Sequence, residues 1–179
     1  MLIPGLGLIL SIITFPGVIV HELAHQIFCY LCKLKVYEVK YFRVGNPCGY
    51  VIHETSDDPR KIFLVSMGPF FVNTLLGMII VLPASIKVIA FEDYSNFSVL
   101  LLAWLGFSIL MHAFPSTGDA KVMVSGILKN KKVGILPKVI SAPFILLVYV
   151  GAIGSVVWLD AVYAVAVAMV VPDLLVHLI

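Results

Sequence analysis

The chain has 179 residues, of which 61% are hydrophobic and only 12% charged, with a formal net charge of +2. A soluble domain carries roughly a quarter charged residues, so this composition excludes an ordinary water-soluble globular protein. The small net charge gives no reason to expect a nucleic acid partner. We therefore expect an integral membrane protein whose main surroundings are the lipid bilayer.

Four apolar blocks are long enough, or nearly so, for one membrane-spanning helix, which needs about 20 residues. They are residues 1–31, 60–83, 97–114 and 139–179. The last block is too long for one helix and predicts two, with a turn near residues 158–160. The predicted fold class is an all-α membrane protein, a polytopic helical bundle of about five transmembrane helices. The alternative has four, the last of them long and tilted.

Lysine and arginine are concentrated in two connections, residues 32–61 and 115–138. The connection at 84–96 contains a single lysine, and the turn near Asp160 contains no basic residue. By the positive-inside rule both basic connections face the cytoplasm. We expect a multi-pass protein of the cell membrane with its N-terminus outside and its C-terminus in the cytoplasm.

The connection between the first two spans alternates apolar and polar residues in "LKVYEVKYFRVGNPCGYVIHE", residues 34–54. The "GNPCG" stretch in its middle has the composition of a turn. Alternation around a turn predicts a small β-hairpin. Further along, residues 119–130 have the pattern of a short amphipathic helix at the membrane interface.

The segment "GVIVHELAHQIF", residues 17–28, places His21, Glu22 and His25 inside an apolar run. Residues four apart lie on the same face of a helix, so both imidazoles can reach one divalent metal ion. Glu22 projects to one side, within reach of a water at that metal, as in the H-E-x-x-H arrangement of two ligands and a general base. A headgroup location for these residues is disfavoured, because the apolar run continues to Leu31 and ionisable groups at membrane depth are costly.

A catalytic zinc site needs a third protein ligand, with the fourth position left to water. The candidates at similar depth are Asp119, His112, His53 and Glu54. Asp119 follows a break in the third apolar block, which frees the chain to turn a carboxylate inward; equally, it could only cap the helix that follows. His112 could bind the metal, or it could hydrogen-bond the substrate or a backbone carbonyl.

These motifs resemble those of the site-2 proteases, which are intramembrane zinc metalloproteases, in a small form without a soluble regulatory domain. "HELAH" is similar to the first family motif, and "AFPSTGD", residues 113–119, to the second, in which a proline-containing stretch leads to a ligand aspartate. The resemblance covers about residues 1–130 and implies a three-helix core with a hairpin at about 34–54. Residues 131–179 would add further C-terminal transmembrane helices.

The resemblance implies Zn²⁺ held by His21, His25 and Asp119, with Glu22 as the catalytic acid and base. It also implies an active site toward the cytoplasmic side and a substrate protein that spans or associates with the membrane. A transmembrane substrate must unwind before cleavage, and we expect the hairpin edge at residues 41–54 to hold it as an added strand.

The family commonly carries an asparagine about two turns before the aspartate, where residues 109–111 here are Ile, Leu and Met. Asn73 is the substitute candidate for binding the substrate or the oxyanion, and His112 is the second. Two alternatives to a protease stay open. One is a non-enzymatic metal-binding membrane adaptor or transporter, and the other is a metal-dependent hydrolase of a lipid or small amide.

Two further patterns are assigned to packing rather than to chemistry. Gly68 and Gly77 have the spacing of small residues that bring membrane helices together. Cys29 and Cys32 form a C-x-x-C pair without a second such pair, and buried cysteine behaves as a small hydrophobe. We expect neither pattern to form a reactive site.

Overall fold

The computed structural model describes residues 6–91 and 96–178. In these ranges the chain forms seven α-helices: α1 Leu6–Ile13, α2 Phe15–Leu31, α3 Pro59–Phe91, α4 Phe97–Met111, α5 Thr117–Met123, α6 Ile135–Gly154 and α7 Leu159–Leu178. Two strands, β1 Val36–Lys40 and β2 Tyr50–His53, lie between α2 and α3. A π-helical turn, Val124–Leu128, continues α5, and a 3-10 turn, Ser155–Val157, precedes α7.

Two stretches of helix are long and apolar enough to cross a membrane, residues 59–88 in α3 and residues 135–157 in and after α6. A third span is present if α1 and α2, which are bent by 87° relative to each other, form one broken span. The predicted mostly helical fold with a small hairpin is therefore confirmed, and two or three of its helices are apolar enough to cross a membrane. The predicted number of five spans is not established by the structure.

The predicted β-hairpin at residues 34–54 is confirmed as a two-stranded antiparallel sheet. Val36 pairs with His53 at one end, and Lys40 pairs with Tyr50 at the other. One irregularity in the register lies near the start of β1. The turn-like residues 45–49 lie in the connection between the two strands, as the alternation of apolar and polar residues predicts.

The hairpin folds back along α2 rather than extending away from the bundle. The Tyr41 hydroxyl donates a hydrogen bond to the Gln26 side chain, and the rings of Phe42 and Phe15 lie 5.8 Å apart. These contacts bring the loop at residues 45–49 over the middle of α2, where the two histidines lie.

The elbow between α1 and α2 has a local cause at Thr14. Its backbone N–H and its hydroxyl both donate to the Leu10 carbonyl, at 2.8 and 2.7 Å, and these are the last hydrogen bonds of α1. Pro16 then occupies the first turn of α2, where its missing N–H costs nothing. The chain is thus forced to start a new helix in a new direction.

Helix α3 is the centre of the bundle, and glycines permit its close contacts. A Cβ at Gly77 would lie 2.7 Å from Leu110 of α4. A Cβ at Gly68 would lie even closer to a phenylalanine ring of α2. A Cβ at Gly106 would lie 2.7 Å from the backbone nitrogen of Val81. These contacts support the packing assignment of Gly68 and Gly77.

The predicted turn near residues 158–160 coincides with a break between α6 and α7, where Trp158 has a left-handed φ of 66°. The two helices then contact different partners: α6 packs on α5 and the π-helical turn, and α7 packs on α3 and α4.

Gly106→Ala tests the close approach of α3 and α4. Adding a methyl group against backbone atoms costs up to about 3 kcal/mol, which exceeds the gain of roughly 1 kcal/mol from replacing a helical glycine by alanine. We expect a lower midpoint of thermal unfolding in detergent. Gly45→Ala is the control, because its Cβ would come no nearer than 3.7 Å to another side chain; equal midpoints for the two variants would contradict the packing.

Candidate metal centre

A cavity of about 750 Å³ lies where three helical segments are interrupted. Its wall includes residues of α1 and α2 on either side of their elbow, the stretch between α4 and α5, and residues at the α6–α7 break. Non-helical backbone at membrane depth is tolerated where it is buried in protein or lines a water-filled cavity. The three interruptions therefore meet at one cavity, whose wall combines apolar residues with polar ones such as His21, Glu22 and His112.

His21 and His25 lie one turn apart on α2, with ring centroids 5.0 Å apart. Nδ1 of His21 lies 2.8 Å from the backbone carbonyl oxygen of His112, and Nδ1 of His25 lies 2.9 Å from that of Val65. Because a carbonyl can only accept, each imidazole donates from Nδ1. The neutral rings therefore leave both Nε2 atoms free as ligands, the arrangement that orients metal-binding histidines in proteins.

Asp119 combines the two roles that its sequence position suggested. Its Oδ2 accepts hydrogen bonds from the backbone nitrogen and the hydroxyl of Ser116, at 2.9 and 2.6 Å, and so caps the start of α5. Its other oxygen, Oδ1, lies 3.7 Å from Nε2 of His25. The cap fixes the carboxylate through one oxygen and leaves the other directed to the histidines.

One ligand atom from each of His21, His25 and Asp119 lies within 4.8 Å of the other two. Ligands of a tetrahedral zinc ion with bonds near 2.0–2.1 Å are about 3.3 Å apart, so the three groups fit an ion after a small inward movement. Two imidazoles and a carboxylate form a three-ligand set typical of a catalytic site with one open position. The donor chemistry and the geometry therefore both suit a divalent metal.

The other proposed third ligands do not join this group. His53 and Glu54 lie at the end of the hairpin, where Nδ1 of His53 contacts the Glu54 carbonyl at 2.8 Å. Among the described residues, His21, His25 and Asp119 form the only group of at least three histidine, cysteine or acidic side chains close enough to share an ion. Cys29 and Cys32 are buried with Leu34 and Val65 in a small apolar cluster, as expected from packing.

His112 contributes to the site mainly through its backbone. Its carbonyl accepts from His21, while its Nε2 lies 2.8 Å from the hydroxyl oxygen of Thr14. That hydroxyl already donates to Leu10, so Nε2 of His112 must be the donor to Thr14. The ring thus ties the α1–α2 elbow to the wall of the cavity, and its Nδ1 has an acceptor lone pair.

Glu22 lines the same cavity as His21 and is only 9% exposed. The hairpin loop covers it: a Cβ at Gly49 would lie 2.6 Å from Cγ and 3.0 Å from Oε1 of Glu22. The absence of a side chain at Gly49 therefore lets the loop approach the carboxylate. Sequence reasoning missed this contact, since the glycine appeared only as part of a turn.

Asn73 is fully buried in α3 and does not line the cavity. Its Nδ2 lies 3.0 Å from the His112 carbonyl oxygen and 3.2 Å from those of Gly17 and Ile109. These contacts direct its amide protons to the backbone. The predicted role of Asn73 in binding the substrate or the oxyanion stays a prediction that this geometry does not favour.

Comparisons with protein-family models, with curated proteins and with solved structures find no match to this chain.

Removal of a single ligand tests the metal centre. Asp119→Asn keeps the shape and a capping oxygen but removes the anionic ligand, so we expect zinc affinity to fall more than the 10–100-fold typical of losing an outer-shell partner. His53→Ala is the control and should leave the affinity unchanged, since His53 lies outside the cluster. Competition with a chelating dye measures both; equal affinity of D119N and the wild type would remove Asp119 from the ligand set.

Proposed function

We propose that this protein is an intramembrane zinc metalloprotease similar to the site-2 proteases. The observation that carries the proposal is the convergence of His21, His25 and Asp119 in one cluster, with His21 and Glu22 on the wall of a cavity among apolar helices. Structural zinc sites usually have four protein ligands, whereas this set leaves a position open, as hydrolysis requires.

Zinc bound by these ligands would lower the pKa of a water molecule to about 7 and polarise the carbonyl of the scissile peptide bond. Glu22 lies on the same cavity, so its carboxylate can take a proton from that water and later deliver it to the leaving amine. The loop that covers Glu22 limits access of bulk water to this carboxylate.

His112 is assigned the role of a hydrogen-bond acceptor for the substrate. Its Nε2 proton is engaged by Thr14, so the neutral ring can accept an N–H of the substrate backbone at Nδ1 but cannot donate to an oxyanion. A cationic ring at this depth is costly. This assignment separates the two roles that the sequence left open for His112.

The substrate class is a protein that spans or associates with the membrane. A helical substrate must first expose its carbonyls, and an added strand beside a sheet edge would hold it extended. Gly49, which contacts Glu22, directly precedes β2. A strand bound along β2 would therefore pass close to the general base, which supports the hairpin edge as the place of binding.

We place the protein in the cell membrane, as a multi-pass protein with its active site toward the cytoplasmic side, because both basic connections flank the helices that carry the site. The N-terminus then lies outside. With five spans the C-terminus is cytoplasmic. With four spans it lies on the same side as the N-terminus.

Glu22→Gln separates the protease from a metal-binding adaptor or transporter, which needs no base. We expect zinc affinity to stay within twofold and cleavage of transmembrane peptides in liposomes to fall by about 10²–10⁴. Comparison of membrane-protein fragments in cells carrying the wild type or E22Q would identify substrates.

The control for this experiment is Asp57→Asn, an exposed carboxylate outside both the cavity and the hairpin, which should cleave as the wild type does. Cleavage that survives in E22Q would contradict the proposed mechanism. If the wild type hydrolyses a lipid or a small amide but no peptide, and E22Q does not, the site belongs to a metal-dependent hydrolase of lipids or small amides.

Gly49→Ala tests the contact of the hairpin loop with the general base. The new methyl group would meet Cγ of Glu22 at 2.6 Å and displace either the carboxylate or the loop. We expect peptide cleavage to fall about 10-fold or more, since misplacement by about 1 Å can cost 10²-fold. Zinc affinity should not change.

Gly45→Ala lies in the same loop, where a Cβ would meet only the Arg43 side chain at 3.7 Å. This control should retain full activity and full zinc affinity. Equal cleavage by G45A and G49A would show that the contact with Glu22 does not matter for the reaction.

A further inference from the structure

The end of α4 leaves a backbone carbonyl at the metal centre without a helical partner. His112 is the residue that follows α4, and the last carbonyls of a helix need hydrogen-bond donors from outside it. Two side chains supply them: Nδ1 of His21 at 2.8 Å and Nδ2 of Asn73 at 3.0 Å. Both donors meet at one oxygen atom.

The orientation of the Asn73 amide follows from its neighbours. Its Nδ2 also lies 3.2 Å from the carbonyl oxygens of Gly17 and Ile109, so three acceptors surround this one atom. The reversed orientation would place Oδ1 against three carbonyl oxygens, which repel it. Asn73 therefore links α3 to the start of α2 and to the end of α4.

The same orientation leaves the other polar atom of the Asn73 amide without a hydrogen bond. Its Oδ1 is buried and has no hydrogen-bond partner among the described residues. An unsatisfied buried acceptor is destabilising, because it has lost its hydrogen bonds to water. An apolar residue of similar shape would avoid that cost but would remove the amide protons from the carbonyl oxygens of Gly17, Ile109 and His112.

We propose that Asn73 is a positioning residue for the metal ligand His21. By holding the His112 carbonyl in place, it fixes the acceptor that sets the tautomer and orientation of the His21 imidazole and directs Nε2 to the ion. This inference rests on the metal site of the proposed function but not on proteolysis. It gives Asn73 a role different from binding the substrate or the oxyanion.

The distinguishing variant is Asn73→Leu, which keeps the branching of the side chain and removes both amide protons. Partners of metal-binding histidines typically contribute 10–100-fold to metal affinity, and we expect a loss of about 10-fold for N73L because Asn73 acts through one further group. The absorption spectrum of the Co²⁺-substituted protein should also change, since the geometry of one ligand is altered. The unfolding midpoint of the metal-free variant, measured in parallel, shows whether the variant is folded.

Ser108→Ala is the matched control. Ser108 is a fully buried polar residue of α4 whose hydroxyl donates only to the Trp104 carbonyl of its own helix. Its removal should leave zinc affinity and the Co²⁺ spectrum unchanged. If N73L does not fold, Asn73→Ser, which is smaller, is measured in the same way and should lose affinity in the same direction.

The outcomes separate this inference from the proposed function. A folded N73L or N73S with wild-type zinc affinity and an unchanged Co²⁺ spectrum overturns the positioning role. A lower kcat with unchanged metal binding also overturns it and restores the oxyanion role. A wild-type protein that binds no zinc removes the metal site and the inference together.

Discussion

The constraint that shapes this protein is the cost of leaving polar groups unsatisfied where no bulk water reaches. Three helical segments are interrupted at one level of the bundle, and each interruption frees backbone groups that need partners. The chain places them around a single cavity whose wall includes His21 and Glu22, and His25 and Asp119 join His21 in one cluster of possible ligands. Polar groups are thus gathered at one place in an otherwise apolar bundle.

The interruptions also make the site rigid. At the end of α4, one carbonyl accepts from both His21 and Asn73, so a helix end becomes part of the support for a ligand. At the start of α5, the same carboxylate of Asp119 caps the helix and faces His25. Groups that would be costly to leave unpaired in a lipid environment thus help to hold the three candidate ligands. The candidate metal centre and the fold depend on the same hydrogen bonds.

Local sequence patterns predicted what depends on local geometry. The four-residue spacing of His21 and His25 sets their common face, and the alternation at residues 34–54 sets the hairpin. Asp119 was predicted as a candidate ligand because a break in a helix precedes it. The contact of Gly49 with Glu22, the three acceptors of Asn73 and the number of spans depend instead on how distant segments pack. Spacing along the chain contains no direct signal for such contacts, although a buried amide in an apolar helix already required a partner.

The central claim is that two imidazoles and one carboxylate hold a metal ion with an open position. X-ray absorption spectroscopy of the purified, zinc-loaded protein tests it most directly. The account predicts stoichiometric zinc with nitrogen and oxygen neighbours at about 2.0–2.1 Å, scattering from two imidazoles and no sulfur neighbour. Absence of stoichiometric zinc, or a sulfur neighbour near 2.3 Å from one of the cysteines, would contradict it.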